Sequence, residues 1–269
     1  MISTRERAAR EQRMHGVGAV ELFAPGRGPA FAAFHGFGGT AAEIRPMLDA
    51  VAGAGFAVDG ALLAGHGSRV EELQDQTFDA WVDQARARAE SLAARTGRVV
   101  LSGFSLGSLV AMQLASEQPP WLAGLVVLGN ALTLRPHTSV PLGLFSLTGR
   151  PMPDLYLRKP RAADLVDRTL LPTIVTYDHH PLRSALEVYR AGRRVRDRVP
   201  RIACPTLVLH GKRDLVCHWR NAPWLAERLG TCDVTVRLFD HSGHVLACDG
   251  ERDEVAREVV RFMQRVADR

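Results

Sequence analysis

Short apolar runs alternate along this chain with longer stretches in which apolar residues recur every three or four positions. Ala30 to Phe34, Phe56 to Leu62, Arg98 to Ser102, Leu122 to Leu128, Cys204 to His210 and Val234 to Phe239 are runs of the first kind. Continuous apolar runs of this length, bounded by Gly or Pro, read as strands buried on both faces. A further strand is expected over Val17 to Phe23, after a turn at His15-Gly16. Between the runs, Trp81, Ala85, Ala89 and Leu92 mark a helix from about Phe78 to Arg95. Thr40-Ala-Ala-Glu43 has the form of a capping box, and opens a helix that Pro46 bends and Gly53 to Gly55 stop near Ala52. Helices are also expected over Leu106 to Glu117, Trp219 to Leu229 and Glu251 to Val266. Strand and helix in alternation predict an α/β fold, a mostly parallel central sheet covered by helices on both faces.

One region breaks the alternation. Between Asn130 and Arg201 no strand is apparent, and the only clear helix lies near Leu182 to Arg196. An insertion of this size reads as a small helical cap over a site. Residues 1–130 and 201–269 then form the core, and 131–200 the cap. Within it Leu142, Leu144, Phe145 and Leu147 cluster between Pro141 and Gly149. They either fasten the cap to the core or, with Leu144 and Phe145 foremost, wall an apolar substrate pocket.

Composition narrows the picture. The 269 residues are 46% hydrophobic and 23% charged, which supports a folded core and excludes global disorder. The net charge is +5, yet the basic residues are scattered arginines, with Lys159 and Lys212 the only lysines. Arg193, Arg194, Arg196 and Arg198 form one dense run, broken by Asp197, that reads as a solvated helix face; no nucleic-acid partner is expected. No run approaches the roughly 18 apolar residues of a membrane span. Met1 to His15 is charged and lacks an apolar segment, so a cytoplasmic protein is expected. Cys204, Cys217, Cys232 and Cys248 have no C-x-x-C spacing, which argues against a zinc or redox site. The oligomeric state is not legible.

Four segments carry chemistry. Gly103-Phe104-Ser105-Leu106-Gly107 places G-x-S-x-G between a strand and a helix. A sharp turn there presents the hydroxyl of Ser105 to a base and to a carbonyl, and the glycines keep neighbouring side chains clear. His35-Gly36-Phe37-Gly38-Gly39 follows an earlier strand. An acyl-transfer oxyanion needs preorganised donors, and the amides of Phe37 and Leu106 would supply them. His210-Gly211-Lys212-Arg213-Asp214 puts a carboxylate at the end of a strand; Asp240, ending the next strand, is its rival. Asp240-His241-Ser242-Gly243-His244 supplies the base, His244 rather than His241. H-x-x-H also resembles part of a metal site, but the spacing is loose and a third ligand is not evident. His66, in Gly65-His66-Gly67, reads as a turn residue, and Asp178, His179 and His180 as caps of the following helix or solvent-facing groups.

Together these segments resemble the α/β-hydrolase superfamily, and more narrowly the bacterial carboxylesterase and monoacylglycerol lipase group. The resemblance runs from about Phe31 to Met263. It includes Arg45-Pro46-Met47, the Gly65-His66-Gly67 turn, Tyr177-Asp178 with Pro181-Leu182, and Ser242-Gly243-His244-Val245 with Asp249. It implies a triad of Ser105, Asp214 and His244, an oxyanion hole at Phe37 and Leu106, no metal or organic cofactor, and a monoacylglycerol or short to medium acyl ester as substrate. Phe104, Leu106 and Ser108 stand where that group usually has Leu, Met and Gly.

Overall fold

The structure, a computed structural model, describes residues 21–150, 152–159 and 163–269. Its frame is a seven-stranded sheet in the order β1-β3-β2-β4-β5-β8-β9. The strands are β1 (Leu22–Ala24), β2 (Arg27–Phe34), β3 (Phe56–Ala61), β4 (Val99–Phe104), β5 (Leu122–Leu128), β8 (Thr206–Gly211) and β9 (Val234–Phe239). All pairs are parallel except β1 with β3.

The apolar runs are explained by period two. In β2, Ala30, Ala32 and Phe34 face one core and Phe31 and Ala33 the other. In β5, Leu125 and Val127 face the first and Val126 and Leu128 the second. Both faces are covered over Ala30 to Phe34 and Leu125 to Leu128, so each of these positions is apolar. The first core receives Trp81 and Leu92 from α3 (Phe78–Thr96), Leu109 and Met112 from α4 (Leu106–Ala115) and Val195 from α6 (Leu182–Arg196). The second receives Met47 and Val51 from α1 (Arg45–Gly53) and Val259 and Phe262 from α8 (Arg252–Ala267). All ten residues of α4 are buried, as befits the helix that leads from the central strand β4. Truncating a core residue such as Leu101, fully buried, to alanine costs about 2–5 kcal/mol.

Several expectations are corrected. Of the strand expected over Val17 to Phe23, residues 17–20 and the preceding turn lie outside the described residues, and the strand described is Leu22–Ala24. The capping box forms only by half: Thr40 Oγ1 accepts from the Ala42 amide at 3.3 Å, but Glu43 turns inward to the Gly36 amide. The segment Ala41–Ile44 is a 3-10 turn, and Pro46 sits in the first turn of α1, where it bends nothing. A short helix, α2 (Val70–Gln74), was not expected, and the helix expected over Trp219 to Leu229 is only α7 (Asn221–Ala226).

The segment between β5 and β8 is not free of strands. It carries α5 (Pro136–Leu147), then β6 (Tyr156–Arg158) and β7 (His179–Pro181), paired antiparallel, then α6. Strands of three residues leave no periodicity to read. The segment is tied to the loops that follow the sheet's strands: the Tyr177 amide donates to Gly38 O at 2.8 Å, the Tyr177 hydroxyl to Gly65 O at 2.8 Å, and Thr40 Oγ1 to Val175 O at 3.0 Å. The arginine run faces solvent as expected, with Arg193, Arg194 and Arg196 exposed; Arg194 pairs with Asp79, and Arg196 lies 3.9 Å over the Trp224 ring. Among the described residues, no helix is long and apolar enough to cross a membrane.

Candidate active site

Ser105 sits between β4 and α4 with φ +53° and ψ −113°, in the left-handed region that costs a residue with a side chain about 1–3 kcal/mol. The turn is sharp enough to need both flanking glycines. A Cβ on Gly103 would stand 2.0 Å from Gly107 O, and one on Gly107 would stand 2.1 Å from Phe34 O. The Ser105 amide donates to Leu128 O at 3.0 Å and the Gly107 amide to His35 O at 3.1 Å, which fixes the turn to the strands on either side. Ser108 Oγ donates to Ser105 O at 2.5 Å and accepts from the Ala131 amide at 3.4 Å, so Ser108 braces the turn.

The loop after β9 brings His244 to the serine. His244 Nε2 lies 2.9 Å from Ser105 Oγ, and its Nδ1 2.7 Å from Asp214 Oδ2. With Nδ1–H donating to the carboxylate, Nε2 presents a lone pair to the serine hydroxyl. Asp214, after β8, is fully buried. Its Oδ1 accepts from the Val216 and Cys217 amides, both at 2.7 Å, and its Oδ2 also accepts from His210 Nε2 at 2.9 Å. Burial alone would raise this carboxyl, but the charge of His244 and the hydrogen bonds from His210 and His244 outweigh it and hold it well below the usual range. For His244, burial pulls downward, but the Asp214 charge and hydrogen bond, helped by Asp164 and Glu43, leave it raised above 6.5.

Asp240 and His241 are elsewhere. Asp240 pairs with Lys212 at 2.5 Å and is 62% exposed, and His241 Nδ1 lies 3.2 Å from Arg213 Nη2 at the surface. The histidine loop itself is anchored by Asp249, whose carboxylate accepts from the Gly243, Val166 and Asp167 amides, and by Asp164, which accepts from the His244 amide.

The glycine-rich loop lies beside the serine turn because β2 and β4 are neighbours, with Phe34 opposite Gly103. His35 is buried; its Nε2 accepts from the Leu63 amide at 3.0 Å and its Nδ1 donates to Gly36 O at 2.9 Å, while burial brings its pKa down to about 4. Phe37 packs its ring against His180, with centroids 4.6 Å apart. Leu106 is the first residue of α4, where the amide has no intrahelical acceptor. His66 is a turn residue as expected, its Nδ1 facing the Leu63 and Ala64 carbonyls at 3.1 and 3.2 Å. His180 neither caps α6, whose N-cap is Pro181, nor faces solvent: its Nε2 is buried against the loop. Phe145 packs with Leu142, Met152 and Leu186, whereas Leu144 is 64% exposed.

Sequence reasoning missed His210, Asp164 and the inward turn of Glu43. His210 precedes Asp214 by four residues at the end of the same strand, and that spacing was its one visible signal. Asp164 acts through contacts distant along the chain, and Glu43 through the Gly36 amide, outside the capping pattern. Ligand atoms of Asp214, Cys217 and His244 lie within 4.8 Å of one another, but an ion there would compete with the Asp214–His244 hydrogen bond. All four cysteines are free thiols.

Residues 29–251 match the model of the Hydrolase_4 family, serine aminopeptidase S33. The chain belongs to this family of serine hydrolases. The S33-family chain is 25% identical to a thermostable monoacylglycerol lipase of Bacillus sp. (strain H-257), over 87% of its own length and 89% of the relative's. It is 22% identical to a carboxylesterase of Bacillus subtilis, over 86% of its length and 91% of the relative's. The solved structure of the metagenome-derived lipolytic enzymes LipS and LipT superposes with a TM-score of 0.84 at 21% identity, covering 93% of this chain and 98% of that one, and shares its α/β-hydrolase fold.

Proposed function

We propose that this S33-family hydrolase cleaves carboxylic esters of small acyl substrates through an acyl-Ser105 intermediate. One observation carries the reading: the unbroken chain from Asp214 to His244 at 2.7 Å and from His244 to Ser105 at 2.9 Å. His244 Nε2 takes the hydroxyl proton as Ser105 Oγ attacks the carbonyl carbon. Asp214 holds the tautomer and stabilises the imidazolium. The Phe37 and Leu106 amides receive the oxyanion. His244 then returns its proton to the leaving alcohol, and a water activated by the same imidazole releases the acid.

Residues 131–200 serve as a cap, a reading supported by the hydrogen bonds of Val175 and Tyr177 to the loops around the serine. Phe145 and Leu144 are its candidate acyl contacts. The names of the lipase and carboxylesterase relatives support an ester, a monoacylglycerol or a short to medium acyl ester among them. The description of the family as an aminopeptidase favours a second reading, amide cleavage on the same triad. Fluorophosphonate labelling, followed by rates on matched p-nitrophenyl esters, monoacylglycerols and aminoacyl anilides, tests both. Labelling at Ser105 with ester turnover far above anilide turnover is expected. The opposite preference would transfer the assignment to peptidase chemistry, and no labelling would reject the nucleophile.

A further inference from the structure

The loop that carries Phe37 is gripped from both sides by charged groups, Glu43 buried and Lys159 part-buried. On one side, Glu43 lies in the 3-10 turn Ala41–Ile44 and is 6% exposed. Its Oε2 accepts from the Gly36 amide at 3.2 Å. A Cβ on Gly39 would fall 2.0 Å from that oxygen and one on Gly36 3.0 Å from it, so the carboxylate fills the space these glycines leave. On the other side, Lys159, just after β6, donates from Nζ to Thr176 Oγ1 at 2.5 Å, and the Thr176 hydroxyl donates to Gly38 O at 2.7 Å. Gly38 has φ +72°, and the place its Cβ would take is 2.9 Å from His180 Nε2 and 3.6 Å from Lys159 Nζ.

Desolvating two charges is costly unless geometry and hydrogen bonds compensate. A glutamate in a capping box could have stayed at the surface, and a lysine ordinarily reaches water. Here both turn inward onto one short loop, one from the core and one from the segment above it.

We infer that Glu43 and Lys159 are positioning residues that clamp the oxyanion loop between core and cap. The inference rests on the reading of Ser105 as nucleophile and Phe37 as oxyanion donor. The groups that face Glu43 are Lys159, His244 and the Cys248 thiol; those that face Lys159 are Glu43, Asp178, His66 and His180. Burial pushes Glu43 up to about 7 and Lys159 down to about 8. Both therefore change charge close to neutral pH. A negative Glu43 favours the imidazolium of His244, so removing that charge lowers the pH at which His244 loses its proton.

The test is the pH profile of kcat/KM on a p-nitrophenyl ester for wild type, Glu43→Gln, Glu43→Asp and Lys159→Met. Gln keeps the reach to Gly36 and loses the charge, so the acid limb moves to lower pH. Lys159→Met strips Glu43 of its counter-charge, keeps it neutral to higher pH, and moves the limb the same way. Asp keeps the charge but is one methylene short: the limb stays in place while kcat falls by about tenfold or more, as expected when a catalytic loop shifts slightly. If all three variants keep the wild-type limb and differ only in melting temperature, the pair is structural and the inference is overturned. Ser105→Ala in the same assay separates the two levels: full activity there would sink the nucleophile reading, whereas Ser105-dependent activity with unmoved limbs sinks the clamp alone.

Discussion

At the scale of the residue, the choice between Asp214 and Asp240 shows what a local motif can and cannot say. Both end strands and both are followed by loops, so the sequence leaves a rival; burial and contact separate them. Asp214→Asn should lower kcat by roughly 10³-fold or more, because an amide cannot hold the imidazole in the required tautomer. Asp240→Asn loses only an exposed pair with Lys212 and should stay near wild type. Steady-state kinetics of the two variants check the ranking, and the reverse order would move the role to Asp240. The same contacts set the pH response. Since His244 is raised above 6.5, a base that must be neutral loses activity as pH falls through a midpoint above that value. A midpoint clearly below 6.5 would mean that Asp214 does not charge-stabilise the ring. Ser105, His244 and Asp214, which meet in the structure, were legible because each lies in its own short motif. Glu43 was read as a helix cap because its motif is equally local, while its actual partner, the Gly36 amide seven residues back, lies outside that motif.

At the scale of the element, the strands of the core were legible wherever both faces are buried. A run such as Val99-Val100-Leu101 needs no other residue to declare itself; β9 was also read to its ends, Val234–Phe239, although it is a half-buried edge strand with Arg237 exposed. The segment between β5 and β8 was not, because hydrogen bonds to distant loops hold its short strands and 3-10 turns. Even so α6 was read to its ends, Leu182–Arg196, because it lays a continuous apolar stripe on the core. In α5 the expected apolar cluster divides. Phe145 packs with Leu142 and Met152, and Leu144 is 64% exposed. Phe145→Ala should lower the melting temperature, and Leu144→Ala should not. If the cap carries acyl contacts, either variant should also change the preferred ester chain length, because each buried methylene is worth about 0.8 kcal/mol. Equal loss on short and long esters in both variants would leave the cluster with packing alone.

At the scale of the whole molecule, burial of neutral histidines dictates how stability responds to acid. His35 is brought down to about 4, and His66 and His180 lie well below 6.5, each chiefly by burial. A base depressed in the folded state stabilises fully above its unfolded pKa and loses that contribution as pH falls through the folded one. Glu43, raised to about 7, works in the opposite direction: its contribution is present at low pH and lost as pH rises through 7. Three groups against one make the net effect a loss, so the melting temperature should fall between about pH 6.5 and pH 4. Calorimetry across that window checks it, and a flat or rising melting temperature would show that these rings are not buried as neutral groups.

All of this turns on one hydroxyl, held at the head of α4 and 2.9 Å from His244. The most direct measurement is kcat/KM of Ser105→Ala on a p-nitrophenyl ester, with its melting temperature recorded beside it. A fall of roughly 10³-fold or more in a variant that still unfolds cooperatively near or above the wild-type temperature is predicted. The melting temperature is part of the prediction, since alanine removes no packed apolar group. A folded variant that keeps a substantial fraction of wild-type turnover would contradict the account.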